Sequence, residues 1–236
     1  MTASAPAFGV SASDPFGIAD ASLVLSELQQ STAYTTAIAN AGDGEFIPGS
    51  QKGLINGQTS LSATYRSATV GTIPARSLTA GGASPSALTG LSISTQAGQH
   101  ATVSASGHAH VAGTGTNHNA RLRAIELPAF DGFGASDFGL GIGVTPAYLQ
   151  SGTFTVEIGH TDEVDKDGNF LCGTSHSCKY TAEFEAVDDS VAWTCPSGWV
   201  IAASDAPGAG RQSSSTHPRR TFRIEKHEGL VSPAAS

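Results

Sequence analysis

His108 and His110 stand two residues apart in a run rich in Ser, Ala and Gly. On a β-strand both imidazoles project from one face, and with His118 or His100 they could ligate a transition metal. A hydrolytic zinc site also needs a carboxylate base, and the chain has no acidic residue between Glu45 and Glu126. That gap favours surface or interface histidines over a metal centre. Cys172, His176, Cys178 and Cys195 form a Cys3His set of the right ligand types for zinc, but their spacing lacks the paired C-x2-C knuckle. Cys172 and Cys178 could instead close a local disulfide around Gly173–Ser177 under oxidising conditions. Three cysteines are too few, and odd in number, for a disulfide framework, so free thiols are the favoured reading.

Asp165-Lys166-Asp167-Gly168-Asn169 suggests a calcium loop. The EF-hand pattern needs Gly at its sixth position and Glu at its twelfth, where this chain has Phe170 and His176. A tight Asp-Gly turn at an acidic hairpin tip accounts for the residues better. Trp193 and Trp199, with Tyr148, could offer a sugar-stacking platform, although two tryptophans six apart at a strand pair are more often core. No Gly-x-Ser-x-Gly elbow and no phosphate-cradling glycine loop opens a helix. The residues therefore predict no enzyme, no catalytic group, no cofactor and no metal ligand.

Charge narrows the classes further. With 12 Lys and Arg against 20 Asp and Glu, the net charge is −8, and the first basic residue is Lys52. Without a basic segment followed by an apolar one, the start of the chain does not read as a secretory signal, and no apolar run is long enough to span a bilayer. A soluble product made in the cytosol is expected. Nucleic-acid gripping needs clustered cations; the single cluster is late, Arg211, Arg219, Arg220, Arg223 and Lys226. Charged residues make up 14% and apolar ones 39%. So little charge beside ordinary apolar content predicts a folded chain rather than a disordered one.

The elements that would position these residues follow a period of two. Leu88–Thr95, the turn Gln96–Gln99 and His100–Val111 read as a hairpin. A second hairpin pairs Thr153–Gly159 with Lys179–Val187, where Tyr180, Ala182, Phe184 and Ala186 alternate with polar residues. Further strands are expected at Ser31–Ile38, Ser60–Arg66, Ala120–Pro128, Val191–Cys195, Gly198–Ala202 and Thr221–His227. Long Gly/Ser-rich spacers separate them, notably Gly42–Gly57 with five glycines and Pro48. Phe16–Gln30 fits either a short helix, from the spacing of Ile18, Leu25 and Leu28, or a peripheral strand. Ser136 could open a helical turn reaching Val144. The fold class is thus all-β, an antiparallel sandwich or barrel with at most one or two short helices. Its expected parts are an N-terminal arm over 1–30, one β domain over 31–228 and a loose tail over 229–236.

Taken together, several features resemble the major tail proteins of long-tailed bacteriophages, the subunits of the tail tube. They are the charge-poor β-rich chain, the glycine-rich loop Gly42–Gly57, the Leu-Thr-Gly-Leu-Ser-Ile-Ser-Thr run leading into Gln99–Val111, and the acidic hairpin Glu157–Glu185. The resemblance covers 31–228 as an arrangement and has no diagnostic motif. It implies a structural virion protein, made in the host cytoplasm, whose subunits form hexameric rings stacked into a tube. Its partners would then be further copies of itself and other tail proteins, with DNA only as passing cargo and no membrane. It also implies a flanking helix, which Phe16–Gln30 or Ser136–Val144 would have to supply. Alternatives are a capsid decoration or tail-fibre protein, or a carbohydrate-binding sandwich.

Overall fold

The computed structural model describes residues 14–34, 57–67, 72–78, 86–110, 118–120, 125–165, 170–206, 208 and 217–229. The fold is all-β. With strands numbered in chain order, eight of them cross one antiparallel sheet in the order β1 (Leu23–Tyr34), β2 (Gly57–Ser67), β6 (Thr102–His110), β5 (Ser86–Gln96), β10 (Leu149–Val164), β11 (Phe170–Val187), β13 (Arg219–Glu228) and β12 (Val200–Ser204). A ninth, β7 (His118–Ala120), runs parallel to β11. Two short pairs lie apart from the sheet: β3 (Thr72–Ile73) with β9 (Phe130–Asp131), and β4 (Arg76–Leu78) with β8 (Ile125–Leu127).

Register explains why the alternating sequence folds this way. Residues directly opposite one another share a face. One continuous row therefore runs Leu25, Tyr65, Val103, Ile93, Phe154, Ala182, Ile224 and Ile201 across all eight strands. From Tyr65 to Ile224 every member of that row is buried. The adjacent row of the opposite face reads Thr64, Ser104, Ser92, Thr155, Thr181 and Glu225. The sheet thus has one apolar side and one side rich in hydroxyl groups, the division expected of antiparallel strands with one packed face. Ile73, Leu78, Ile125, Leu127, Phe130, Phe138 and Ile142 join the apolar side in a single core.

Both hairpins form where expected, and the second is longer than its alternating part, extending to Val164 and back from Phe170. Other expectations need correction. Of the two forms open to Phe16–Gln30, the strand is observed: β1 runs through 30 and 31, so the arm and the β domain share an element. A bulge between Leu25 and Glu27 places Leu25 opposite Tyr65 and Leu28 opposite Ala63. Both leucines then pack on the core at a spacing of three, which in sequence resembles a helix. Ser136–Val144 forms no helical turn, because positive φ at Phe138, Gly139, Gly141 and Gly143 is incompatible with one. Among the described residues the only helical element is the single 3-10 turn Pro146–Tyr148. Of Ala120–Pro128, Ala120 ends β7 and Ile125–Leu127 form β8, while 121–124 lie outside the described residues; Val191–Cys195 is not a strand. Most of Gly42–Gly57 and of the tail lies outside the described residues.

Candidate functional site

Three polar side chains meet near the turn end of the long hairpin. β10 carries His160 and Asp162 two residues apart, so both project from one face. β6 brings His108. The strand between them, β5, pairs with β10 only as far as Gly90 opposite Glu157, and faces His108 with Ala87. Beyond that ladder, side chains connect β6 to β10. His108 Nε2 lies 2.9 Å from Asp162 Oδ2, and His160 Nε2 lies 3.0 Å from Asp162 Oδ1. One carboxylate is thus shared by two imidazoles, whose centroids are 5.2 Å apart.

The surroundings fix this geometry. The His160 side chain is 3% exposed, that of His108 14% and that of Asp162 20%. His160 Nδ1 is 2.9 Å from the hydroxyl of Ser175, its partner across the ladder to β11, and Ser175 is buried. A hydroxyl on one ring nitrogen holds the other in direction, so Nε2 is aimed at the carboxylate. Gln58 of β2 contributes a longer contact of 3.5 Å from Nε2 to Asp162 Oδ2. Four strands converge on a single acidic group, and the three ligating atoms lie within 4.8 Å of one another. Among the described residues no other His, Cys, Asp or Glu set converges in this way.

The other residues singled out in the sequence disperse. His110 lies on β6 opposite Gln58, and His118 on β7 opposite Gly173, which is itself opposite Asp162. His100 is far along the sheet, against Ser67 Oγ at 3.1 Å and edge-on to Phe133. Cys172 and Cys178 are six residues apart on the extended strand β11. At about 3.3 Å per residue they are roughly 20 Å apart, too far for a disulfide or a shared zinc. All three cysteines are free. Partial burial and the Glu163 carboxylate push the Cys172 thiol up, and burial does the same to Cys178, so neither favours the thiolate that a metal requires.

Most of the acidic tip, from 166 to 169, lies outside the described residues. Trp193 stands edge-on to Phe222 beneath Arg220, and Trp199 packs on Phe154 and Tyr180, so both tryptophans support the core. Tyr148 is exposed as the last residue of the 3-10 turn. His160 and Asp162 carried a usable signal, a His-x-Asp pair at strand spacing. What the sequence hides is that topology brings this pair to His108, more than 50 residues away.

The edges of the sheet are a second candidate surface. Among the described residues no strand pairs with the outer side of β1 or of β12. β12, Val-Ile-Ala-Ala-Ser, is exposed throughout and uncharged, with Val200 62% and Ile201 54% accessible. β1 exposes Val24 and carries one charge, Glu27. Comparison with known proteins adds no assignment: no protein-family model matches the chain, and no significantly similar curated protein was found.

Proposed function

We propose that the protein is a structural subunit that self-assembles through its sheet edges into closed rings, stacked as a tube of the bacteriophage-tail type, and that it is not an enzyme. The observation that carries the reading is the pair of edges, unpaired among the described residues, at opposite ends of one continuous antiparallel sheet. Natural edge strands are usually shielded by charge, proline or a covering loop. β12 has neither charge nor proline in its five residues and, among the described residues, exposes Val200 and Ile201. An apolar edge joined to the different edge of the next copy is a heterologous contact, and such contacts close into rings when the rotation allows. β1, with twelve residues and a polar outer half, is the complementary edge.

The hydroxyl-rich face supports the same reading. Thr64, Ser104, Ser92, Thr155 and Thr181 form a belt of small polar groups without a cation. Turned toward a lumen, such a belt gives DNA little to hold: of the cations on the same face, Lys179 and Arg223 are engaged by Glu225 at 3.2 and 2.8 Å and Arg66 stands at the far side, so few counterions are released from the phosphates. The rings would be six-fold, the virion would be the final location, and other tail proteins would be the partners, as the tail-tube resemblance implies.

Light scattering with negative-stain electron microscopy across a concentration series tests the reading. Rings or hollow tubes are expected from the native chain. Val200→Lys with Ile201→Lys, which places two charges on the β12 edge, should leave a folded monomer. A native chain that stays monomeric at every concentration, tail assembly partners included, overturns the proposal in favour of a decoration or glycan-binding role.

A further inference from the structure

We infer that His108, His160 and Asp162 form a binding site for a divalent transition ion of the zinc class, which fastens the β10–β11 hairpin to β6. The donor set is two imidazole nitrogens and one carboxylate, the ligand chemistry that zinc accepts with a fourth position left to water. A tetrahedral ion with bonds of about 2.0–2.2 Å holds its ligand atoms roughly 3.3–3.5 Å apart. The two nitrogen-to-carboxylate approaches here are 2.9 and 3.0 Å, and all three ligating atoms fall within 4.8 Å. The two approaches reach different oxygens of Asp162, so an ion would take one of them, and ligand atoms now within 4.8 Å of one another would close by roughly an ångström at most to reach that spacing.

The supporting groups have the form that metal ligands need. Ser175, buried on β11, meets His160 Nδ1 at 2.9 Å and leaves Nε2 to face the site. Binding would displace any proton shared between an imidazole Nε2 and the carboxylate, and that proton would pass to solvent. Asp162, at 20% exposure, gives water and the ion a route inward. The structural consequence is local. The β5–β10 ladder stops at Gly90 and Glu157, so a metal would replace hydrogen-bonded pairing with coordination between β6 and the hairpin.

The site is independent of assembly, and the full-length protein tests it without tubes. After removal of metal with a chelator, Zn2+ titration by calorimetry should give one equivalent bound, and the melting temperature should rise with Zn2+ and fall again with EDTA. Co2+ in place of Zn2+ should give the visible bands of a tetrahedral site without thiolate-to-metal charge transfer. His160→Ala and the isosteric Asp162→Asn should each abolish the stoichiometric binding while circular dichroism shows an unchanged β fold. Ser175→Ala, which removes only the positioning hydroxyl, should weaken binding roughly 10- to 100-fold. Absence of stoichiometric Zn2+ binding overturns the inference and leaves two histidines that share a carboxylate. Thiolate bands, or binding that survives both ligand variants, also overturn it by moving the ion elsewhere.

Discussion

The Arg220 side chain is 1% exposed, and the residues around it meet its guanidinium on several sides. Its NH1 lies 3.3 Å from Asp188 Oδ1 and 3.6 Å from Asp189 Oδ1 and donates to the Val191 carbonyl at 2.8 Å, while the guanidinium covers the Trp193 ring at 4.6 Å. Asp188 Oδ1 also accepts from the backbone N–H of Ser190, whose φ is 60°. One side chain therefore organises the irregular path between β11 and β12, which the alternation of Val191–Cys195 wrongly presents as a strand. Replacing it by Met withdraws a guanidinium from between two buried carboxylates, which costs about 3–5 kcal/mol, far more than a surface pair. Arg220→Met should lower the denaturant midpoint accordingly, with the slope unchanged. Arg220→Lys should recover only part of the loss, since an ammonium cannot both stack on Trp193 and present a planar fork.

Close approach between strands is decided at single positions within each element. A Cβ at Gly107 of β6 would collide with the Ala87 backbone carbonyl of β5 and lie 2.9 Å from the Phe16 ring. A Cβ at Gly90 of β5 would crowd only the Ser106 hydroxyl at 2.7 Å, a group that can rotate away, with the Val156 carbonyl at an ordinary 4.0 Å. Gly107→Ala should therefore destabilise by about 1–3 kcal/mol through overpacking, whereas Gly90→Ala should stay within about 1 kcal/mol of neutral. Thermal unfolding of the two variants side by side checks the contrast. The same level of detail separates what could be read in advance from what could not. The hairpins were legible because Leu91, Ile93, Phe154, Val156, Tyr180 and Phe184 keep strict alternation, and a one-residue slip would expose all of them. β1 was ambiguous because its bulge beside Ser26 replaces a spacing of two by one of three. The His108, His160 and Asp162 cluster was invisible because strand order, which no periodicity encodes, brings β6 and β10 together across β5.

At the scale of the whole molecule, two opposed terms govern association. Each copy carries a net charge of −8, so subunits in one ring repel. The attraction proposed for the contact comes from strand pairing and apolar burial at β12, where Val200, Ile201, Ala202 and Ala203 bring no charge. Salt separates these terms, because it screens the first and leaves the second intact. Between 0.01 M and 0.15 M ionic strength the Debye length falls from about 30 Å to about 8 Å, shorter than the distance across a small domain. Assembly should therefore strengthen as sodium chloride rises over that range, and sulfate should promote it further by favouring apolar burial. Light scattering at fixed protein concentration measures this directly. Assemblies that dissolve with added salt would mean that ion pairs between subunits hold the contact, drawn from partly exposed charges such as Arg219 and Glu185, which bridge at 2.8 Å within the subunit. The β12 edge would then be a bystander to assembly, and Val200→Lys with Ile201→Lys should leave the particles intact.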